Sequence, residues 1–187
     1  MPERTTASAH PFTGRLISVR VDQVELGSGR IAAREVVEHP GAVGILAWDG
    51  ERLAIVSQWR QAAGADLLEI PAGTREPAES ARATAERELA EECGLAAGRW
   101  EAGPSFFTAP GFCTERLDLF LATELRAAHT VRPEDEELTG SWMSLPEALA
   151  AIDDGRIVDA KSLCGILWLD RRLGPAYAAS SRSRARR

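Results

Sequence analysis

The chain has 187 residues, a formal net charge of −6 and 44% apolar residues. This length fits one domain with an appendage or one large domain, and the apolar fraction is sufficient for a core. The acidic balance argues against a nucleic-acid-binding surface, and no apolar run approaches the roughly 20 residues that span a bilayer.

The N-terminal sequence predicts no targeting segment. The stretch MPERTTASAHPFTG lacks the apolar region of a secretory signal. Residues 1–11 predict a flexible arm instead. Cys93, Cys113 and Cys164 are odd in number and widely spaced, which is typical of reduced thiols in a cytoplasmic protein.

Residues 12–39 carry the signals of a small antiparallel β unit that precedes the main domain. Leu16–Val21 and Ile31–Val37 are rich in β-branched residues, and Gly27-Ser28-Gly29 between them is a turn signal. A two-stranded hairpin is only marginally stable in water, and a closed two-fold pair is the commonest oligomer. We therefore expect a homodimer in which residues 12–39 pack against the partner.

Residues 40–173 predict the main domain, which begins with strands. Ala42–Ala47 predicts a buried strand, and Asp49-Gly50 predicts a hairpin turn between it and a strand at Leu53–Val56. Leu67–Gly73 predicts another strand, which leads into a helix.

The helix is predicted over Ala78–Cys93, which lacks Pro and Gly and is rich in strong helix formers. Pro77 suits the first helical position, and Gly94 suits the end, because glycine readily adopts the left-handed conformation after the last turn.

Three carboxylates share one face of this helix. Glu88 lies three residues before Glu91 and four before Glu92, so their side chains are neighbours and repel one another. A hard divalent cation would reverse that repulsion, since Mg²⁺ takes oxygen ligands from one or two carboxylates together with substrate phosphates. The alternative is a solvated charged face. Arg87 could pair with a nearby carboxylate and hold it in place.

The segments after the helix alternate between strands and helices. Strands are predicted at Trp100–Phe107 and around Leu117–Leu121, and helices at Pro146–Ile152 and Ala160–Leu173. Strands flanked by two helical regions predict a mixed sheet in an α/β/α sandwich. Residues 174–187 are small, polar and basic, and predict a disordered tail, with a weak electrostatic contact as the alternative.

The helical segment also contains a motif of fixed spacing. Its residues are Gly73, Glu79, Arg87-Glu88-Leu89, Glu91-Glu92 and Gly94-Leu95. This spacing matches the Nudix box at every specified position, so the chain resembles a Nudix hydrolase. The resemblance implies a Nudix-type α/β/α sandwich and a metal-dependent hydrolase.

Four features outside the box resemble the ADP-ribose pyrophosphatase branch of that family, although relatives that cleave other nucleoside diphosphate sugars share much of the pattern. They are the segment WRQAAGADLLEIPAG before the box, Pro110-Gly111 followed by Glu115, the acidic stretch RPEDEE, and Arg34-Glu35-Val36-Val37 in the N-terminal unit. In this branch the N-terminal unit is exchanged between two subunits.

The resemblance implies the metal site. Glu88, Glu92 and Glu91 would bind Mg²⁺, for which Mn²⁺ could substitute, with the Ala72 backbone carbonyl as a further oxygen ligand. Arg87 would support these carboxylates.

The substrate contacts are implied in the same way. Arg60 would grip a diphosphate with its planar fork, although it could also be a surface charge. Glu69 could face solvent or support the metal site. Arg34 and Glu35 are candidates for substrate contact from the partner subunit, and Pro110 and Gly111 for a rigid loop that lines the pocket. Each of these has an ordinary surface reading as well.

A general base is expected outside the box, because the metal and Arg87 engage the box carboxylates. The RPEDEE stretch is dense in acids and lies where the resembled enzymes keep a catalytic glutamate. Glu134 and Glu136 are the candidates, with Glu91 and Glu115 next.

The predicted function is Mg²⁺-dependent hydrolysis of ADP-ribose to AMP and ribose 5-phosphate. One alternative is a pyrophosphatase for another nucleoside diphosphate sugar. A binding module that senses ADP-ribose without cleaving it is the alternative from another class, and the intact box argues against it.

Overall fold

The computed structural model describes residues 2–128 and 138–184, with residues 175–184 as backbone. The elements within these ranges are β1 (Arg4–Thr13), β2 (Ser18–Glu25), β3 (Ile31–Glu38), β4 (Ala42–Ala47), β5 (Arg52–Arg60), β6 (Ala65–Glu69), β7 (Ala72–Thr74), α1 (Ala81–Cys93), β8 (Leu95–Phe107), β9 (Arg116–Ala127), β10 (Leu138–Ser144), α2 (Leu145–Asp153) and α3 (Ala160–Arg184). No helix in this part of the chain is long and apolar enough to cross a membrane.

The strands form an N-terminal antiparallel sheet and two sheets of the main domain. The N-terminal sheet has the order β1-β2-β3, and the other two have the orders β7-β4-β9-β8 and β10-β5-β6. Strands β4 and β9 run parallel, whereas β4 and β7 are antiparallel, as are β8 and β9. The prediction of a mixed sheet is therefore confirmed.

Helices cover both faces of the β4 sheet. Val43 and Ile45 pack in one apolar cluster with Ala85 and Leu89 of α1. Leu46, from the opposite face of β4, packs in a second cluster with residues of α2 and α3. Because side chains alternate along a strand, a strand that is apolar at every position needs such a cover on both sides. The predicted α/β/α sandwich is confirmed.

The predicted hairpin at Asp49-Gly50 is wrong, because β4 and β5 belong to different sheets. Only the isolated bridge between Trp48 and Leu53 joins the two segments. The turn itself forms, since the Asp49 Oδ1 atom accepts the backbone N–H groups of Glu51 and Arg52 at 2.8 and 2.6 Å. Both edges of β4 are already paired, with β7 and β9, so β5 must leave this sheet.

The predicted single strand over Leu67–Gly73 is also wrong, because the chain changes sheets within it. Strand β6 pairs with β5, and β7 pairs with β4. The break falls at Ile70-Pro71, since proline cannot donate to a ladder. The Ile70 N–H instead donates to the Ser162 Oγ atom at 2.8 Å, and the Pro71 carbonyl accepts from the Ile45 N–H at 2.8 Å.

Helix α1 begins later than Ala78, and Pro77 is not its first residue. Ser80 is the N-cap, and its side chain accepts from the Ala83 N–H, which satisfies one of the unpaired donors of the first turn. Ala78 has a φ of 67°, which a helix excludes. The predicted end is confirmed, because Gly94 caps the helix in the left-handed conformation with a φ of 63°.

The two ends of the chain are more regular than the sequence predicted. The prediction of a flexible arm is wrong for residues 4–11, which form most of β1 and pair with β2; the Ser8 hydroxyl also donates to Asp22 at 2.6 Å. The disordered tail is not confirmed for residues 175–184, whose backbone is helical beyond a break at Gly174. Alanine, which has the highest helix propensity, recurs in that stretch.

Candidate functional site

A cleft of about 1090 Å³ is lined by residues of the N-terminal sheet and of the main domain. Its walls come from the loop after β1, the β3–β4 connection, the end of β5, strand β7 with the loop that follows it, and one face of α1. The lining residues used below are Arg60, Ala72, Gly73, Arg87, Glu88, Glu91 and Glu92.

The carboxylates of α1 lie directly against the backbone of β7. A Cβ atom placed on Gly73 would overlap the carboxyl group of Glu88, so the approach of helix to strand requires a glycine at this position. The Glu92 Oε2 atom accepts the Ala72 N–H at 2.9 Å. Glu88 and Glu92 are only 6% and 3% exposed, and the close packing therefore buries two acidic groups at the edge of the cleft.

Arg87 connects these acids to the rest of the segment. Its Nη1 atom donates to Glu88 at 2.7 Å and to Glu91 at 3.0 Å. Its Nε and Nη2 atoms donate to the two oxygens of Glu79 at 3.2 and 3.1 Å. Hydrogen bonds to Glu79, which outweigh the effect of burial, raise the pKa of Arg87 above its usual value. The contact with Arg87 in turn lowers the pKa of Glu79. Arg87 therefore acts as a fixed cation for this face.

The donor set fits a hard divalent cation that completes its coordination with water and phosphate. Within residues 2–128 and 138–184, no group of three His, Cys, Asp or Glu side chains is arranged as a metal cage; Glu88 and Glu91 are paired with Arg87. Mg²⁺ does not require such a cage, since it is usually bound by one or two carboxylates plus waters and substrate oxygens. The carboxylates of α1 beside the half-buried strand β7 supply that chemistry.

Arg60 reaches the same cleft but is not a simple surface charge. Its Nε and Nη2 atoms donate to the two oxygens of Glu69 at 2.9 and 2.6 Å. Glu69 is 2% exposed, so the interpretation that it faces solvent is wrong, and its carboxylate contacts Arg60 and Lys161.

Lys161 and Asp159 belong to this cluster, and the sequence analysis did not identify them. The Lys161 Nζ atom also donates to Asp159 at 2.9 Å. The sequence offered one signal for Asp159. It lies immediately before the predicted helix at Ala160, and aspartate is a favoured N-cap.

Other predicted site residues lie elsewhere in the described chain. Arg34 and Glu35 are exposed on β3, and the Arg34 Nε atom donates to Glu3 at 3.0 Å. Pro110 and Gly111 are exposed in the loop between β8 and β9. These four residues line neither the main cleft nor an adjoining cleft of about 370 Å³. Glu115 lines the adjoining cleft, whereas Glu134 and Glu136 fall outside the described residues.

Comparison with known proteins defines the class of this site. The family model for the NUDIX domain matches residues 38–164, a span that contains the whole cleft-lining part of α1 and β7. The chain belongs to the Nudix family and is a Nudix hydrolase.

Several characterised proteins are similar to it over most of their length. The ADP-ribose pyrophosphatase of Bacillus subtilis (strain 168) is 37% identical, over 90% of this chain and 93% of the relative. The ADP-ribose pyrophosphatase of Mycobacterium tuberculosis (strain ATCC 25618 / H37Rv) is 40% identical, over 87% of this chain and 81% of the relative. The methanol dehydrogenase activator of Bacillus methanolicus is 38% identical, over 89% and 92%.

The fold has a close counterpart among solved structures. A crystal structure of an ADP compounds hydrolase superposes with a TM-score of 0.83 at 20% identity, covering 92% of this chain and 95% of that chain. At this identity, the superposition establishes the fold.

We expect Gly73→Ala to weaken the binding of a divalent cation at the carboxylate face of α1. The new Cβ would overlap the Glu88 carboxyl group and displace it from β7. Loss of support for a metal ligand commonly weakens metal binding by about 10–100-fold, and titration with Mn²⁺ followed by electron paramagnetic resonance measures this change.

Gly140→Ala is the matched control, because a Cβ at Gly140 in β10 meets no atom within 4 Å. Its Mn²⁺ affinity should equal that of the wild type. Unchanged affinity in Gly73→Ala, with a native circular dichroism spectrum, would contradict the assignment of the metal to this face.

Proposed function

We propose that this Nudix hydrolase splits the diphosphate of ADP-ribose into AMP and ribose 5-phosphate, and that its metal is Mg²⁺. The observation that carries the proposal is the pair of buried carboxylates, Glu88 and Glu92, packed against β7 in the cleft that also contains Arg60. Relatives named ADP-ribose pyrophosphatase, at 37% and 40% identity, support the choice of substrate.

The carboxylates of α1 are proposed as the metal ligands. Glu88, Glu91 and Glu92 supply oxygens from one helix face, and the Ala72 carbonyl adds one from β7. Bound Mg²⁺ would neutralise charge on the phosphate oxygens and acidify a water molecule. Arg87 keeps Glu88 and Glu91 oriented through its hydrogen bonds at 2.7 and 3.0 Å, which limits the rearrangement needed on metal binding.

Arg60 is proposed to bind the diphosphate. Two of its three guanidinium nitrogens are engaged by Glu69, and 39% of its side chain is exposed on the cleft side of β5. A guanidinium fixed on one edge presents its remaining donors in a defined direction. Arg34, Glu35, Pro110 and Gly111 would contact substrate only if a second subunit or a loop rearrangement brought them to the cleft.

We expect Mg²⁺-dependent release of phosphomonoesters from ADP-ribose. A panel of nucleotide sugars is incubated with enzyme and Mg²⁺, and products are scored as phosphate after treatment with a phosphatase. Glu92→Gln should keep the fold and lose most activity, because it removes a ligand charge. A preference for another sugar nucleotide would show that ADP-ribose is not the main substrate. Binding of ADP-ribose without release of phosphate would favour a sensor.

Glu86→Gln is the control on the same helix. Glu86 is exposed and pairs with Arg82 at 2.7 Å, away from the cleft, so its turnover should match the wild type. Wild-type turnover in Glu92→Gln at saturating Mg²⁺ would show that the metal assignment is wrong.

A homodimer built through the N-terminal sheet is also proposed. Strand β1 is exposed along its whole length, and Phe12, Leu16 and Ile31 are each more than half exposed. Hydrogen bonds link the sheet to the loop after β8, with the Val37 N–H donating to the Phe112 carbonyl at 2.7 Å and the Thr114 N–H to the Val37 carbonyl at 2.9 Å. A sheet with so little cover in one chain is suited to packing against a partner.

We expect light scattering to give the mass of a dimer at micromolar concentration. Ile31→Asp should shift the protein toward monomer by placing a charge in the interface, whereas Val158→Asp, which changes a similarly exposed residue outside the N-terminal sheet, should not. A monomeric wild type with full activity would exclude the dimer.

Cytoplasmic localisation and the lack of nucleic-acid and membrane partners stay predictions.

The general base is proposed to come from the acidic stretch that contains Glu134 and Glu136. The box carboxylates in the described chain already have partners: Glu79, Glu88 and Glu91 contact Arg87, and Glu92 contacts the Ala72 N–H.

Glutamine at Glu134 or Glu136 should lower kcat by about 10²–10⁴-fold, the usual effect of losing a general base, with little change in KM. Steady-state kinetics of both single variants and the double variant measure this, with Glu137→Gln as the neighbouring control. If all variants remain within a few-fold of wild type, Glu91 or Glu115 becomes the candidate.

A further inference from the structure

A compact ion cluster lies behind Arg60, between the end of β6 and the first turn of α3. The buried Glu69 carboxylate accepts both guanidinium bonds from Arg60 and a third bond from Lys161. Lys161 also donates to Asp159. The side chains of Lys161 and Asp159 are 13% and 14% exposed and that of Glu69 is 2% exposed, so three of the four charged groups have little contact with solvent.

The same turn of α3 is attached to the backbone that enters the metal site. The Asp159 Oδ1 atom accepts the Ser162 N–H at 3.1 Å, and the Ser162 Oγ atom accepts the Ile70 N–H at 2.8 Å. Ile70 stands at the break between β6 and β7, two residues before Ala72. The start of α3 therefore fixes Glu69 through Lys161 and the adjoining strand break through Ser162.

The charges in this cluster depend on one another. Burial by itself would raise the pKa of Glu69, but the hydrogen bonds from Arg60 and the charge of Lys161 outweigh it and lower that pKa. Without Lys161, Arg60 would be the one cation of the cluster left for two carboxylates, so the cluster would carry an uncompensated negative charge. The bond that joins the Glu69 carboxylate to α3 through Lys161 would also be lost.

Two contacts on Glu69 are needed to define the direction of Arg60. The side-on contact through Nε and Nη2 fixes the plane of the guanidinium relative to the carboxylate. It does not fix the carboxylate itself relative to the cleft. The bond from Lys161, which is anchored on α3, supplies that second constraint.

We propose that Lys161 is a positioning residue for substrate binding: it acts through Glu69 to hold Arg60 in the orientation in which Arg60 meets the diphosphate. The inference rests on the proposed function for the role of Arg60 as the diphosphate contact. Lys161 lines the adjoining cleft, which shares Arg60, Ala72 and Gly73 with the main one. The proposal assigns the effect of Lys161 on the diphosphate to its contact with Glu69.

Kinetics of Lys161→Met test the effect on binding. KM for ADP-ribose should rise about tenfold, with kcat within about threefold of wild type, the pattern expected when binding common to the ground and transition states is lost. Lys161→Arg, which retains a cation, should restore KM to within about threefold. Equal loss in both variants, or a fall confined to kcat, would overturn the proposal.

A double-mutant cycle tests whether Lys161 acts through Arg60. If it does, Arg60→Met with Lys161→Met should show no higher KM than Arg60→Met alone, because coupled residues are not additive. Additive effects would overturn the proposal and indicate a separate contact of Lys161.

A further variant separates the effect of the Lys161–Glu69 contact from the effect of the net charge of the cluster. Asp159→Asn with Lys161→Met leaves one cation and one anion in the cluster, and asparagine remains a good N-cap. The rise in KM should persist in this charge-balanced variant. Recovery of wild-type KM would mean that net charge, not the Lys161–Glu69 contact, is what matters.

A spectroscopic measurement keeps the inference independent of the substrate. The Nε–H resonance of Arg60, assigned by its loss in Arg60→Lys, reports the contact with Glu69 without any turnover. It should shift or broaden in Lys161→Met and return in Lys161→Arg. If the wild type fails to cleave ADP-ribose, the proposed function is wrong, but the contact between Lys161, Glu69 and Arg60 can still be tested by this resonance. An unchanged Arg60 resonance in Lys161→Met would overturn the positioning role.

Discussion

The close approach of α1 to β7 at Gly73 is the constraint on which the site depends. Because Gly73 has no side chain, the Glu88 carboxyl group lies against the strand backbone, and Glu92 reaches the Ala72 N–H. The Ile70-Pro71 break places β7 in the β4 sheet, and Ser80 caps the start of α1. A larger residue at position 73 would push α1 away from β7 and displace the Glu88 carboxyl group.

Electrostatics explain why the segment carries an arginine among its glutamates. Burying several carboxylates on one helix face is unfavourable unless a cation compensates them, and Arg87 supplies that cation from within the helix through Glu79, Glu88 and Glu91. A second cation–carboxylate group is formed by Arg60, Glu69, Lys161 and Asp159. Arg60 of this group lines the same cleft as the carboxylates of α1, so the cleft offers both carboxylate oxygens and a guanidinium.

The N-terminal sheet and the main domain are stabilised by different interactions. The main domain buries apolar clusters on both faces of its β4 sheet. The N-terminal sheet is held chiefly by ladder hydrogen bonds and by polar cross-strand contacts, such as those of Arg20 with Glu38 and of Ser8 with Asp22. It leaves apolar side chains such as Phe12 and Ile31 exposed. The family model begins at residue 38, where this sheet ends, which agrees with its character as an addition to the catalytic fold.

The sequence by itself determined what depends on local spacing. The helix, its glycine cap and the shared face of Glu88, Glu91 and Glu92 follow from residues three and four apart, and the alternation and length of the apolar segments predicted the layered fold. Only the tertiary structure decided which strands pair. The Asp49-Gly50 turn is equally compatible with a hairpin of β4 and β5, but both edges of β4 are taken by β7 and β9. It also decided that Arg60 pairs with Glu69 and that Lys161, 92 residues away from Glu69 in sequence, completes the cluster. Contacts of that kind arise when the chain folds back on itself, and no local pattern of residues specifies them.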